Sequence, residues 1–196
     1  MKKIKILSII VIAIVGCYLI HYHFINKEQT VNVPNKKIND YSLIENNDLF
    51  EAKSIDEINH ILTHNTGIIF TCTPTSSWCQ YYALYLYETA KENNIDKIYY
   101  LDVKEERVLD SNKYHKLLTI LDEYLYYDDT GSKRLYMPNL TIVKDGIILA
   151  NDNETSNIID NTPTEEYWTI ENITNFKNKL NNYINLLNIE NEMEEY

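Results

Sequence analysis

What this sequence lacks is a basic face. It carries 18 Lys and Arg against 29 Asp and Glu, for a formal charge of -11 and a pI near 4.9. Binding to nucleic acid requires a cationic surface that releases counterions from phosphates, so nucleic acid is excluded as a partner. Glycine and proline are also scarce, at 4 each, while Tyr reaches 17 and Asn about two dozen. That combination is the drift of an AT-rich genome laid over ordinary globular usage, not a prion-like tract, and the scattered Asn residues take no functional reading. At 196 residues the chain is too short for two cores and long enough for one domain plus an appendage. No motif for a metal, a nucleotide or an organic cofactor is present, and no cofactor is expected.

One long hydrophobic run is present. Lys2, Lys3 and Lys5 precede an apolar stretch from Ile6 to Ile20, extended by His21, Tyr22, His23, Phe24 and Ile25. About 20 such residues cross a bilayer core of roughly 30 Å. The lysines favour an inside N-terminus, which places everything after residue 25 outside the cytoplasm. A cleaved signal would need a shorter apolar core and a small-x-small site, and none follows. Residues 1–25 therefore read as a transmembrane anchor of the cell membrane, with His21 and His23 at its interfacial edge. Ile14-Val15-Gly16-Cys17 resembles a bacterial lipobox, so a lipoprotein anchored at Cys17 stays open as the alternative. Either anchor holds the domain on the outer face of a membrane.

Residues 26–48 are polar, with Pro34 and Lys36-Lys37 and no sustained apolar period, and read as a tether. The domain is expected over 49–190, with an acidic, frayed tail over 191–196. Leu49, Ala52, Ile55, Ile58, Ile61 and Leu62 recur at helical spacing. Gly67 to Cys72 and Lys97 to Val103 read as buried strands. Helices are expected over about 77–93 and from Tyr114 to Leu125. Lys144-Asp145-Gly146 marks a hairpin between Asn139–Val143 and Ile147–Leu149. After a loop of about 19 residues, Ile170, Ile173, Phe176, Leu180, Ile184 and Leu187 mark a last helix. Strands alternating with helices, then a hairpin and a terminal helix, give an α/β sandwich with a mixed sheet.

This order, with the residues that punctuate it, resembles the thioredoxin fold. Phe70-Thr71-Cys72-Thr73-Pro74-Thr75-Ser76-Ser77-Trp78-Cys79-Gln80 is similar to the strand-to-helix turn of small thioredoxin-like proteins of Gram-positive bacteria, of the bacteriocin-transport-accessory type. In those proteins Pro-Thr precedes Cys-Pro-Trp-Cys. Glu92 to Val103 and Tyr136-Met137-Pro138 to Gly146 are similar to that family as well, and the resemblance spans roughly residues 65–150. It implies a thioredoxin-like three-layer sandwich.

In such a motif the first cysteine sits at a helix N-terminus, where free N–H groups and the helix dipole stabilise its thiolate. The second cysteine then resolves the mixed disulfide. Here the first position is Ser76 and the second Cys79. A serine hydroxyl neither attacks a disulfide nor forms an S–S bond, so the chain departs from the family at the reacting atom. A second register, with Cys79 as the first position and Tyr82 in place of the second cysteine, also lacks the dithiol. Cys72 supplies a rescue if its Cα comes within about 7 Å of that of Cys79, while a small buried apolar side chain is its plainer role.

The resemblance further implies that Pro138 is a cis-proline facing the motif and that the Met137 backbone is open to a docked peptide strand; a trans proline that merely starts a strand is the plainer alternative. Trp78 reads either as the floor of that groove or as packing. Ile69 and Phe70 stand where many thioredoxins hold a buried acid. His60 and His64, four apart, lack a third ligand and read as a solvated helix face. Ser76 has no adjacent His to act as its base, so hydrolase chemistry is not expected. Two functions remain open. One is a redox-degenerate module binding an extended segment of an exported or envelope protein through Ser76, Cys79, Trp78, Met137 and Pro138. The other is a thiol-disulfide oxidoreductase acting through Cys79, alone or with Cys72.

Overall fold

The computed structural model describes Gly16 and residues 41–44, 48–153 and 162–188. The chain divides into two units, Met1–Pro34 and Asn35–Tyr196, and the sheet belongs to the second. Gly16 apart, the expected anchor over 1–25 with Cys17, His21 and His23 lies outside the described residues, as do 26–40 and 45–47 of the expected tether and the acidic tail. Among the described residues no helix is long and apolar enough to cross a membrane.

A five-stranded mixed sheet organises the domain. In chain order its strands are β1 (Phe50–Ala52), β2 (Gly67–Thr71), β3 (Ile98–Leu101), β6 (Asn139–Lys144) and β7 (Ile147–Asp152), and a small separate ribbon pairs β4 (Tyr126–Tyr127) with β5 (Lys133–Arg134). The spatial order is β1-β3-β2-β6-β7. β3 runs parallel to β1 and β2, whereas β6 is antiparallel to both β2 and β7. Helices α1 (Ile55–His64) and α4 (Asn112–Ile120) cover one face, and α2 (Ser77–Glu92) and α6 (Ile170–Asn185) cover the other. Short helices α3 (Lys104–Val108) and α5 (Thr164–Tyr167) lie in the connections. The result is the thioredoxin-like sandwich with a mixed sheet that the sequence pattern led us to expect.

The local chemistry accounts for these elements. β2 is the central strand and is covered on both faces, which is why Gly-Ile-Ile-Phe-Thr reads as a continuous apolar run rather than an alternating one. α1 begins with a capping box: the Ser54 side chain accepts from the Glu57 N–H, and the Glu57 carboxylate accepts from the Ser54 N–H at 2.8 Å. α6 buries Phe176, Leu180 and Ile184, one residue per turn. The β6–β7 turn places both Asp145 (φ 51) and Gly146 (φ 77) in the left-handed region, as a tight two-residue hairpin requires. Glycine is needed at 146 for a second reason: a Cβ there would meet the Thr63 carbonyl oxygen of α1.

The structure corrects several boundaries. Leu49 and Ala52 continue the helical spacing of Ile55 to Leu62, yet Leu49 lies in a turn and Ala52 in strand β1. The capping box fixes the helix start at Ile55, and the Leu49 carbonyl and Lys53 N–H are taken up by Ile98 and Tyr100, at 2.8 and 2.9 Å. β1 is thus an edge strand that periodicity alone misassigns. The helix expected to reach Leu125 ends at Ile120 and is followed by a 3-10 turn, Asp122–Tyr124. Ile170, expected on the buried stripe, is 87% exposed. Tyr41 and Ile44, in the stretch read as a tether, are buried in the core, with Tyr41 edge-on to Tyr100 at 5.8 Å.

Candidate functional site

β2 delivers the chain to the motif. Just past its end, the Cys72 N–H donates to the Leu101 carbonyl at 3.0 Å, and the Cys72 carbonyl accepts from the Tyr100 hydroxyl at 3.1 Å. The turn then tightens as the Ser76 N–H donates to the Thr73 carbonyl at 3.1 Å. Gln80 holds it from the helix side, its amide donating to the Pro74 carbonyl at 2.7 Å. Ser76 is the N-cap of α2, with extended backbone and no capping bond from its side chain. The position that would stabilise a thiolate therefore carries a free-standing hydroxyl at the helix start.

Cys79 lies one step inside, in the first turn of α2, and is joined by a disulfide to Cys72 with a Cα separation of 5.9 Å. The distance condition for pairing is met. Both cysteines are 0% exposed. The bridge ties the end of the central strand to the first turn of the helix that follows, across the very loop that displays Ser76. Its partner choice differs from a Cys-x-x-Cys motif, because the second cysteine comes from the strand side and not from the helix start.

Tyr82, which the second register would set in the resolving position, is wholly buried. It stacks on Phe70 at 5.4 Å and meets Phe176 edge-on at 4.6 Å. Its hydroxyl donates to Asp152 Oδ2 at 2.8 Å, and Lys179 Nζ donates to Asp152 Oδ1 at 3.1 Å. The trio pins α2, β7 and α6 together through one buried carboxylate.

Met137-Pro138 is a cis peptide. Thr71 pairs with Asn139 in the antiparallel ladder, so the next step in that register brings Pro138 level with Cys72. Pro138 is buried and Met137 half-buried. Among the described residues neither the N–H nor the C=O of Met137 has a hydrogen-bond partner. An unpaired donor and acceptor on the residue just before β6 is what an incoming strand requires. Ile69 is buried and apolar and pairs with Thr141. The polar groups beside it are neutral: Asn151 donates to Thr141 Oγ1 at 2.8 Å, and Asn139 donates to Asn151 Oδ1 at 3.0 Å.

Trp78 is half-buried, with its ring edge-on to Tyr167 at 5.1 Å and 6.4 Å from Trp168. The hydroxyls of Ser77 and Thr164 hydrogen-bond at 2.8 Å. Trp168 continues the cluster onto Tyr85 at 5.0 Å and Phe176 at 5.1 Å. Burial raises the Tyr85 phenol above its ordinary value, and the Glu88 carboxylate acts in the same direction. His60 and His64 stack at 4.6 Å on α1, away from the motif's helix, and no group of three His, Cys, Asp or Glu that would hold a metal occurs among the described residues.

The structure thus brings Ser76, Cys79, Cys72 and Trp78 onto one turn and sets Pro138 beside it. The contribution of Thr164, Tyr167 and Trp168 is absent from the sequence reading, which treats 150–169 as a loop. Pro163 followed by Thr164-Glu165-Glu166, with acids in a first helical turn, was the available signal. Asp152 and Lys179 gave no signal, because their partnership is purely tertiary.

No family model matches the chain, nor does any curated protein. Among solved structures the chain is similar to thioredoxin O2 from Arabidopsis thaliana in its oxidised state, with 15% identity and a TM-score of 0.36, covering 54% of this chain and 82% of that one. The fold is read from strand order and register, not from this likeness.

Proposed function

We propose that the chain is a membrane-tethered, extracytoplasmic thioredoxin-like module whose Cys72–Cys79 bridge is structural, and that it binds an extended peptide segment of an exported or envelope protein. The observation that carries this is the pairing of a hydroxyl at the helix start with a disulfide whose two sulfurs are shut inside. Exchange chemistry needs an accessible, acidified thiol, and Ser76 occupies that place. The unpartnered Met137 backbone supports binding by strand addition, with Trp78 and Pro138 alongside. The N-terminal hydrophobic run supports the tether.

The test is an amide NMR titration of the full chain with a carboxymethylated, permanently unfolded polypeptide as probe. Strand addition moves the Met137 amide and the amides from Ser76 to Trp78, with no change in the oxidation state of Cys72 and Cys79. No shift at Met137, or shifts confined to another surface, overturns the binding reading. A second function, thiol-disulfide exchange through Cys79 with Cys72, is favoured by the bridge itself. It requires that the bridge open and close reversibly at the potential of a working catalyst.

A further inference from the structure

We infer that Pro163–Trp168 is a strap closed over the cross-linked turn, and that lifting it governs how fast thiol reagents reach the Cys72–Cys79 bridge. The residues of α2 that immediately precede Cys79 are the ones the strap holds. Ser77 bonds to Thr164 at 2.8 Å, and Trp78 packs against Tyr167 and Trp168 at 5.1 and 6.4 Å. On its other side the strap is tied to α6, where the Asn172 amide donates to the Tyr167 carbonyl at 2.7 Å.

Both sulfurs lack exposed surface, so an attacking thiolate has no path to them in the closed form. The closed form also carries a flaw. The Trp168 indole N–H is buried, in a residue 6% exposed, with no acceptor among the described residues. A donor shut away from water without a partner raises the free energy of that arrangement relative to one that wets it. Local opening of the strap is therefore easier than its aromatic packing alone implies, and it opens independently of the sheet. The inference goes beyond the binding function above and stands whether or not Met137 receives a peptide.

The chemistry of the test is balanced. A dithiothreitol thiolate attacks one cysteine sulfur, the S–S bond breaks, and a mixed disulfide forms as the other cysteine leaves as thiolate. The second dithiothreitol thiol then displaces the first cysteine, leaving two free thiols on the protein and one ring disulfide on the reagent, with two electrons transferred. Reduction is followed on the full chain by quenching with iodoacetamide and mass spectrometry, in which Cys17 is distinguished by its own peptide.

A strap gate makes the wild-type rate flat in urea below the unfolding transition, because local opening exposes little surface. It also makes Tyr167→Ala faster by about tenfold and Thr164→Val faster by about threefold, the difference between losing a ring contact and losing one hydroxyl bond. Variant rates within twofold of wild type overturn the inference. So does a wild-type rate that climbs with urea in step with global unfolding, which would mean that only the unfolded chain is reduced. Where Tyr167→Ala loses its near-UV circular dichroism, Thr164→Val and the wild-type urea dependence decide by the same criteria.

Discussion

Reducing the Cys72–Cys79 bridge removes a covalent link between residues seven apart in sequence. Closing a loop of that size costs the unfolded chain about 8 cal/mol/K of entropy, so the bridge contributes about 2.5 kcal/mol at 25 °C on the chain-entropy model. Burial adds little to this difference, since the reduced cysteines keep their sulfurs in the same apolar surroundings. Urea unfolding of the oxidised and reduced full chain, followed by far-UV circular dichroism, should give the reduced form an unfolding free energy lower by that amount and a lower midpoint. The slope should be shallower for the oxidised protein, whose unfolded state is more compact. The Cys72→Ala/Cys79→Ala double variant should lose a further 1 to 2 kcal/mol or so, from the two buried sulfurs it deletes. Equal midpoints for the oxidised and reduced forms refute the structural role of the bridge. A more stable reduced form refutes it in a more specific way, because strong thiol oxidants are proteins whose reduced state is the stabilised one.

Ser76→Cys restores a thiol at the start of α2, where the free N–H groups favour its thiolate; its alkylation rate should titrate below the ordinary cysteine range of about 8.5. An ordinary titration there would place Ser76 off the helix start. Asp152→Asn removes the charge that Lys179 meets while keeping the Tyr82 hydroxyl bonded, and should cost about 2 kcal/mol in urea unfolding. Tyr82→Phe should cost less, because the carboxylate keeps its cation. Glu57 is held below its ordinary value of 4.5, first by the Ser54 backbone N–H and then by the Ser54 hydroxyl. The stability it lends is complete above that ordinary value and is lost as the pH falls through the lower folded one. After discounting for its exposure to solvent the effect is under about 1 kcal/mol. The stability advantage of wild type over Glu57→Gln should shrink between pH 6 and pH 3, and an advantage constant over that range would deny the capping box its charge.

Much of the sheet was legible because its central strands are buried on both faces. Gly67–Thr71 and Ile98–Leu101 are apolar runs bounded by breakers, and Asp145-Gly146 is a turn that few other pairs make. The edge was not legible: β1 is three residues long and lies within a helical period that Ser54 and Glu57 interrupt. The motif was read down to the position of Ser76, since helix-start chemistry is local. Whether Cys72 reached Cys79 depended on how sharply Thr73 to Thr75 turn, which spacing alone leaves open. The strap over Trp78 was invisible for the same reason that Asp152 and Lys179 were: Tyr82 and Asp152 are 70 residues apart, Asp152 and Lys179 27, and Ser77 and Thr164 87, and no local period records such meetings.

Thiol trapping with mass spectrometry, on the full chain equilibrated across dithiothreitol redox buffers, bears most directly on whether the bridge is structural. A buried staple remains a disulfide until the poise falls below about -300 mV, the range of structural disulfides. Reversible interconversion of Cys72 and Cys79 between about -120 and -270 mV, where known catalysts work, would contradict it and make thiol-disulfide exchange the function of this turn.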